Sequence, residues 1–488
     1  FRRVLFRSRR KNTTHTMKGG VLALLALVAV AVSANPLSGL SKEELETKTW
    51  VVLAAGSDGY YNYRHQADVC HAYQVVHAMG VPDERIIVMM KDDIANNTQN
   101  PRRGEIINEP DGPDVYKGVP HDYTGRLVTS SNFIKILTGE KMTTGSGKTL
   151  QSGPDDNVFV FFDDHGSEGA LCFPRGCDLD ATKMQTTLNT MAKKKLFKKL
   201  VFYVEACFSG SVFYKLVLPD NVYVTTAAPV GESSFAYNYD RTIGAYVADI
   251  YSFLWIHDTE VNNEPGRTFE DQFKYIQENI EGYSQTCQYG DKSVAQGTLS
   301  EFYKPAGVRT GSRKDSRIQI TDAVSVFDVP LATAKRVFMD HPTDENLKEL
   351  NKQIAIKKSI DAMSAAITEA AQPKAPHLAL PACDKCDKTC NCYRYCISSS
   401  SAKFCEFECC NEQSCYEDAP TDGVSSADRD QCLHTLAQEY LAACGNDHPY
   451  LRKTELLFRR VCRRAGTDIQ KAVEEIHAQC AAFNRMNF

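Results

Sequence analysis

Short, continuous apolar runs recur between about residues 50 and 303, and helical stretches and Gly/Pro/Asp turns separate them. Strands that are apolar at every position, rather than at alternate positions, are typical of a sheet that helices cover on both faces. The pattern therefore predicts an α/β sandwich with a mostly parallel sheet. We expect the first crossover helix at residues 68–79 and a later one at 183–199. The predicted strands are residues 50–53, 86–89, 158–162, 200–204 and 222–224.

The character of the chain changes after about residue 305. We expect an α/β catalytic domain at residues 35–304, a linker at 305–331 that is polar as far as residue 316, and helical patterns at 332–371 and 428–488. Nine of the 18 cysteines fall within residues 383–415, and four more lie in the last helical stretch. A chain of 488 residues is too long for one hydrophobic core, so the pattern predicts a large α/β unit and a smaller helical one.

Residues 17–34 have the pattern of a secretory signal peptide, with one Lys, a short apolar run and the small-residue cleavage site Val32-Ser33-Ala34. A membrane anchor is the alternative, but the run from Val21 to Val32 is shorter than the roughly 20 residues that a span needs. No later stretch is long enough either. Residues 1–16 make no sense as part of a signal peptide and are set aside as a non-native extension.

Export implies an oxidising compartment, so we expect most cysteines in disulfides rather than on a metal. For the cysteine-rich insertion at residues 383–415 a disulfide knot is favoured over a metal site. Asn96 begins the glycosylation signal Asn96-Asn97-Thr98. The net charge of -5, with both signs interspersed, does not indicate nucleic-acid binding. No metal or cofactor is expected.

Two polar turns follow two of the predicted strands, where open α/β sheets place their ligand crevice. The first contains His165 and Gly166, and the second contains Cys207. An imidazole beside a thiol raises its thiolate character and can protonate the leaving amine, so the pair predicts a cysteine nucleophile with a histidine acid/base. The backbone N–H groups of Gly166 and Cys207 are candidates for an oxyanion hole. A disulfide for Cys207 and a solvated loop position for His165 are the alternatives.

These turns belong to a longer set of motifs that closely resembles the legumains, also called asparaginyl endopeptidases, from about Trp50 to Gly290. The resemblance implies a caspase-like α/β/α sandwich followed by an α-helical, disulfide-bonded C-terminal prodomain. It implies an endopeptidase that cuts after Asn, and after Asp at acidic pH. The matching motifs are Ala55-Gly56-Ser57, the run from Tyr61 to Asp68, Gly118-Val119-Pro120, the run from Asp122 to Gly125, the run from Asp164 to Ser167, Glu205-Ala206-Cys207 and Glu232-Ser233-Ser234.

The resemblance also implies roles for particular residues. Asn62 would support His165, and Asp164 matches a position that can form a succinimide and is tied to peptide ligation. The pocket for the Asn side chain, S1, would consist of Arg64, Glu205, Ser234 and Asp249. An amide offers one acceptor and one NH2 donor, which Arg64 and the two carboxylates can match. A structural ion-pair cluster is the alternative for these charged residues. The chain departs from the family motif at Phe208, where a Glu is usual.

The resemblance extends, more weakly, to the C-terminal part. The cysteine order implies the disulfides Cys432–Cys462 and Cys444–Cys480. Independently of the resemblance, a short disulfide Cys172–Cys177 would stiffen a loop after the histidine, and two free thiols are the alternative. The resemblance implies a latent proenzyme in which an activation peptide at 332–371 and the prodomain at 428–488 cover the active site until acid removes them. Candidate cleavage positions are Asp340, Asp344 and Asn346.

Protein and peptide substrates, the chain's own prodomain and cystatin-type inhibitors are the expected partners. The expected location is the secretory pathway, ending in a lysosome- or vacuole-like acidic compartment or outside the cell. Two other functions stay open. One is a transpeptidase like the GPI-anchor transamidase subunit, which would normally carry a membrane anchor. The other is a secreted cysteine-rich binding protein with a vestigial protease fold.

Overall fold

A six-stranded sheet forms the centre of the computed structural model, which describes residues 48–262, 264–303, 318–371, 392–399, 402–409, 426–444, 451, 454–462 and 466–485. The strand order is β11-β8-β7-β3-β1-β2, and every neighbouring pair is parallel except β11 with β8. The predicted mostly parallel sheet is therefore confirmed. Its strands are β1 (Thr49–Ala55), β2 (Ile86–Met89), β3 (Asn157–Asp163), β7 (Lys199–Glu205), β8 (Val222–Thr226) and β11 (Cys287–Gly290).

Helices cover both faces of this sheet, and successive strand residues enter two different cores. Val51 and Leu53 of β1 face helices α1 (Tyr63–Ala78), α5 (Ile250–Val261) and α6 (Phe269–Asn279). Val52 and Ala54 face α2 (Ser130–Leu137) and α3 (Ala181–Lys193). Alternate side chains of a strand point to opposite faces, so a strand buried on both sides has to be apolar throughout. The α/β/α sandwich is therefore confirmed.

The two crossover helices differ from their predicted bounds. Helix α1 begins at Tyr63, five residues before the prediction, because its polar first turn is buried rather than exposed. Helix α3 begins after Asp180, whose side chain accepts a hydrogen bond from the N–H of Lys183, and ends at Lys193. The left-handed conformation of Lys195 (φ 54°) stops the helix there, so its basic end is a turn that leads into β7.

Short strands and helices connect these elements around one end of the sheet. Strand β10 pairs antiparallel with β9, and β12 adds to the other edge of β9. The chain also forms the antiparallel ribbon β4-β5-β6 directly after His165. The bounds are β4 (Gly166–Ser167), β5 (Ala170–Phe173), β6 (Gly176–Asp180), α4 (Ser209–Phe213), β9 (Phe235–Asp240), β10 (Ala245–Asp249), α7 (Lys292–Ala295) and β12 (Val324–Ser325).

The C-terminal part is helical, with its own apolar core. Helix α8 (Val329–Asp340) leads into the long helix α9 (Asp344–Ala370), which packs with α10 (Ser426–Cys444), α11 (Glu455–Cys462) and α12 (Ile469–Asn484). The disulfides Cys432–Cys462 and Cys444–Cys480 join these helices in the pairing expected from the sequence. Crosslinks of this kind stabilise a small core mainly by restricting the unfolded chain.

Several sequence predictions fall on residues outside the described ranges. The extension at 1–16 and the signal peptide at 17–34 lie there entirely. Of the cysteine-rich insertion, the structure describes only an antiparallel hairpin of β13 (Cys392–Ser399) and β14 (Ala402–Cys409). None of the helices in the described part of the chain is both long enough and apolar enough to cross a membrane.

Candidate active site

The parallel pairing of β3 with β7 brings the two predicted polar turns together. Asp163 and Glu205, the last residues of these strands, are in register, and the N–H of Asp164 donates to the carbonyl of Glu205 at 3.1 Å. A Cβ atom at position 166 would overlap the carbonyl oxygen of Cys207, so only glycine fits there. The turns that carry His165 and Cys207 are therefore packed directly against each other.

An amide side chain orients the histidine. Nε2 of His165 lies 2.9 Å from Oδ1 of Asn62, while Nδ2 of Asn62 donates to the carbonyl of Asp58 at 2.9 Å. The second bond places the amide oxygen of Asn62 toward the ring, and an amide oxygen only accepts. Nε2 of His165 therefore carries a proton, which leaves Nδ1 as the basic nitrogen. The two rings of His165 and His65 meet edge to face, with centroids 5.0 Å apart.

The thiol of Cys207 is free and buried, so the disulfide alternative for this residue does not hold. Its Sγ lies 3.5 Å from Oγ of Ser234, 3.7 Å from Oγ of Ser233 and 3.4 Å from the N–H of Ser234, which donates to it. Burial raises the pKa of the Cys207 thiol, and the hydrogen bonds from the two serines work in the opposite direction. In this covered state burial dominates and favours the protonated thiol.

The predicted S1 residues lie in the core beside the thiol. Nε of Arg64 donates to Oδ1 of Asp249 at 2.9 Å, and both side chains are almost fully buried. Oε2 of Glu205 accepts from the N–H (3.2 Å) and the hydroxyl (3.1 Å) of Ser252, at the start of α5. Nη2 of Arg64 and Oε1 of Glu205 have no hydrogen-bond partner within the described residues. Oδ2 of Asp249 has none either, so the predicted pocket leaves one donor and two acceptors for a bound side chain.

Burial is the largest influence on the pKa values of four carboxyl groups in this interior. It raises the pKa values of Asp68, Asp163 and Glu205 well above the usual range, and neighbouring carboxylates add to the effect. Burial raises the pKa of Asp249 to about 6, against the attraction of Arg64. Neither carboxylate oxygen of Asp163 has a hydrogen-bond partner within the described residues, so no hydrogen bond there offsets the cost of burying its charge. The site is therefore built to hold protons at acidic pH.

His65 lies within the motif from Tyr61 to Asp68, but the sequence predicts no role for it. Its Nδ1 lies 2.6 Å from Oγ of Ser57, and its Nε2 lies 3.5 Å from Oδ2 of Asp249. Two sets of side chains here have ligand atoms close enough together to hold a metal ion. One set is His65, Asp164 and His165, and the other is His65, Asp163 and Asp249. These are the same groups that orient the histidine and build the pocket. The sequence signal for His65 was its position next to Arg64, on the inward face of α1.

A segment of the C-terminal half lies in the cleft in front of the thiol. Val324 of β12 pairs antiparallel with Ala236 of β9, and the N–H of Val326 donates to the carbonyl of Ser234 at 3.1 Å. The following residue, Phe327, packs on Phe208 with ring centroids 5.8 Å apart. Residues 318–331, placed within a linker from the sequence, therefore lie against the predicted catalytic centre.

The other predicted site residues lie at varying distances from the centre. The disulfide Cys172–Cys177 is present and close, because the N–H of Cys172 donates to the carbonyl of His165 at 3.1 Å. Asn96 is exposed on a separate loop. The candidate cleavage positions fall around the exposed turn between α8 and α9: Asp340 ends α8, Asp344 begins α9 and Asn346 lies in its first turn.

Comparisons with known proteins agree with this arrangement. A model of the peptidase C13 family matches residues 49–320, more than half of the chain. Legumain from Rattus norvegicus is 43% identical over 337 residues, covering 68% of this chain and 75% of the relative. Vacuolar-processing enzyme from Vicia sativa is 44% identical over 312 residues, covering 60% of this chain and 62% of that enzyme.

A structural comparison matches the crystal structure of caspase-1 from Spodoptera frugiperda at 9% identity, with a TM-score of 0.31 over 50% of this chain and 87% of that one. The family model and the sequence relatives decide the assignment. The chain belongs to the peptidase C13 family and is a cysteine endopeptidase of the legumain type.

Proposed function

We propose that this endopeptidase hydrolyses the peptide bond after Asn, and after Asp at acidic pH. The observation that carries the proposal is the pair of unpartnered polar atoms in the core, Nη2 of Arg64 and Oε1 of Glu205. A carboxamide supplies the acceptor and the donor that these atoms lack. An Asp side chain matches both only when it is protonated, which is why cleavage after Asp would need acid. Apolar side chains would leave the buried groups unpaired and be rejected.

The catalytic residues in this proposal are Cys207 and His165. Nδ1 of His165 takes the thiol proton as Sγ attacks the carbonyl carbon, and the same proton then passes to the leaving amine. Asn62 keeps the ring oriented through the 2.9 Å bond to Nε2. The N–H groups of Gly166 and Cys207 would hold the oxyanion. Water then hydrolyses the thioester and frees the thiol, whereas attack by an amine in place of water would give ligation. Asp164 is at the position that can form a succinimide in the family and is tied to ligation.

Latency follows from the segment that lies in the cleft. Val326 hydrogen-bonds to Ser234 and Phe327 covers Phe208, so a substrate chain could not occupy the same edge of β9. In this proposal residues 35–304 are the catalytic domain, 305–331 the linker, 332–371 the activation peptide and 428–488 the prodomain. Cleavage near Asp340, Asp344 or Asn346 would separate the catalytic domain from the prodomain and leave residues 318–331 tethered at their N-terminal end alone, so that acid would favour their departure from the cleft.

We place the enzyme in the secretory pathway, ending in an acidic lysosome- or vacuole-like compartment or outside the cell. The name of the plant relative, vacuolar-processing enzyme, supports an acidic compartment. The raised pKa values of the buried carboxyl groups also suit it. Protein substrates follow from the family, and the chain's own prodomain and cystatin-type proteins are the proposed inhibitors.

A fluorogenic Ala-Ala-Asn peptide tests the proposal on the acid-treated chain, beside Cys207→Ser and an Ala-Ala-Lys peptide. We expect hydrolysis of the Asn peptide, a loss of at least roughly 10³-fold in kcat for Cys207→Ser, and no hydrolysis of the Lys peptide. Cleavage near Asp340, Asp344 or Asn346 and loss of the prodomain are checked by mass spectrometry. Equal cleavage after Asn and Lys would overturn the pocket assignment, and a fully active Cys207→Ser protein would overturn the nucleophile.

A further inference from the structure

The segment in the cleft approaches the thiol as a short strand, Val324–Ser325, and turns into a 3-10 helix at Val326–Asp328. Ser325 pairs with Phe235, and its Oγ lies 2.7 Å from Oγ of Ser233. Val326 bonds to Ser234, whose own N–H donates to the sulfur of Cys207. Strand addition of this kind fixes the position of each residue along the edge. The pairing places Val326 beside Ser234 and the thiol, and Phe327 follows in the first turn after the strand, where its ring packs on Phe208. A substrate chain that paired with β9 in the same direction would have its leaving group on this side of the thiol.

Phe208, directly after the nucleophile, meets Phe327 there. Its backbone has the left-handed conformation (φ 56°, ψ 10°), which costs energy for a bulky residue. Two hydrogen bonds hold it: its N–H donates to the carbonyl of Glu232 at 2.8 Å, and its carbonyl accepts from the N–H of Ser211 at 2.7 Å. The backbone that carries the ring is thus fixed by contacts within the catalytic domain and does not depend on the segment.

The apolar surface of Phe208 has few partners from the catalytic core. Among the described residues its buried apolar cluster contains only Cys207, Val326 and Phe327 besides Phe208 itself. Two of these three, Val326 and Phe327, belong to the segment at residues 318–331 that covers the thiol, here called the covering segment. When that segment leaves, an aromatic face beside the thiol is exposed to water, and an apolar side chain that takes the place of Phe327 would cover it again.

We propose that Phe208 forms an apolar subsite for the residue that follows the scissile Asn, so that the enzyme selects Asn-Phe and Asn-Leu bonds over Asn-Ser and Asn-Glu bonds. This inference rests on the proposed function and adds a leaving-group preference to it. Phe208 is a specificity-determining residue, and the chemistry stays with Cys207 and His165. A Glu at this position, the usual residue in the family motif, would instead favour basic side chains.

Internally quenched peptides that differ only in the residue after Asn test the subsite. The series carries Phe, Leu, Ser, Glu or Lys, and the readout is the ratio of kcat/KM values within one enzyme. For the wild-type chain freed of its covering segment we expect Phe to exceed Ser by roughly tenfold. In Phe208→Ser the ratio should fall toward one, in Phe208→Leu a preference for apolar residues should remain, and in Phe208→Glu the Lys peptide should lead.

A ratio near one for the wild type, or an unchanged ratio in Phe208→Ser, would overturn the subsite. If no Asn peptide of the series is cleaved, the proposed function fails, and a binding measurement still decides the subsite. A labelled peptide spanning residues 320–329 is titrated into wild-type and Phe208→Ser protein, in its native form and with Phe327→Ser or Val324→Ser.

The two peptide changes separate the ring contact from the strand pairing. On wild-type protein the Phe327→Ser peptide should bind roughly tenfold more weakly than the native peptide. On Phe208→Ser protein the two peptides should bind about equally well. The Val324→Ser peptide, changed at a position that pairs with Ala236, should lose the same affinity for both proteins. Equal losses for the Phe327→Ser peptide on both proteins would show that the rings are not coupled, and would overturn the proposal.

Discussion

The catalytic centre and the C-terminal helices have opposite kinds of interior. The centre buries Arg64 and four carboxyl groups, and some of their atoms have no partner within the described residues. The helices bury Ile360, Leu436 and Ile476, and two disulfides cross their core.

Buried charges are costly, whereas buried apolar groups and crosslinks stabilise. The contrast indicates that the first interior is organised for a ligand and the second for stability.

Removing the guanidinium of Arg64 should have the largest effect on this contrast. Met has a similar length but cannot donate to an amide or pair with Asp249. In Arg64→Met we expect kcat/KM for the Ala-Ala-Asn peptide to fall by roughly 10³-fold or more. The free energy of unfolding should fall by about 3 to 5 kcal/mol, because Asp249 keeps a buried charge without its cation. Peptide hydrolysis and urea denaturation measure the two changes.

Arg85→Met is the matched control, since Arg85 also pairs with a carboxylate, Asp156, at 3.4 Å but is partly exposed. It directly precedes β2, at the end of the parallel sheet opposite the catalytic turns. It should change the free energy of unfolding by less than about 1 kcal/mol and leave hydrolysis unaltered. Wild-type kcat/KM in Arg64→Met would contradict the pocket assignment.

Much of the sheet was predictable because each central strand is a short run of apolar residues. The proximity of the two turns was predictable for the same reason, since parallel strands end at one edge. The start of α1 was not: Arg64 and His65 are polar residues on the inward face of a helix, and a hydrophobic pattern assigns such residues to a loop. They face inward because the site needs them there.

The hydrophobic pattern of the sequence also did not predict contacts between distant parts of the chain. Ser252 holds Glu205 across 47 residues, and nothing in its local sequence indicates this. Phe327 lies in a stretch predicted to be a linker, because a strand of two residues, β12, is too short to give a periodic signal. The position of Phe327 depends on the pairing of β12 with the edge of β9, which only the structure shows.

Removal of a disulfide should have the next largest effect on stability. Replacing Cys432 and Cys462 together by Ala removes a crosslink over a separation of 30 residues, which corresponds to about 3 to 4 kcal/mol of stability for the helices. The same change at Cys172 and Cys177, separated by five residues, should cost only about 2 kcal/mol. Hydrogen exchange of peptides from α10 and α12 measures the first loss. Unaltered exchange there would show that the apolar core suffices without the crosslink.

The smallest expected effect is a pH dependence confined to the catalytic interior. Burial raises the pKa of Asp249 from 3.8 to about 6, and those of Asp68, Asp163 and Glu205 well above their usual range. A carboxyl group with a raised pKa binds its proton more tightly in the folded chain. Its contribution to stability is complete below about pH 4, the pKa of the unfolded chain, and is lost as pH rises through the folded value.

The catalytic region should therefore be less stable at pH 7 than at pH 4.5, by about 1 to 3 kcal/mol. Asp271, Asp291 and Glu301, whose pKa values are lowered by hydrogen bonds, act in the opposite direction. They lie near the surface, where water screens them, so the buried groups prevail.

Asp163→Asn isolates the effect, because Asn has the shape of a protonated Asp but no proton to lose. This variant should gain stability at pH 7 relative to the wild type and show a shallower dependence on pH. Hydrogen exchange of β3 and β7 at both pH values measures it, and α10 and α12 serve as the internal reference. Equal protection of β3 and β7 at pH 4.5 and 7 would mean that the carboxyl groups keep their charges in the core. Their attraction to Arg64 would then outweigh the cost of burial, and the contrast between the two interiors would be one of composition alone.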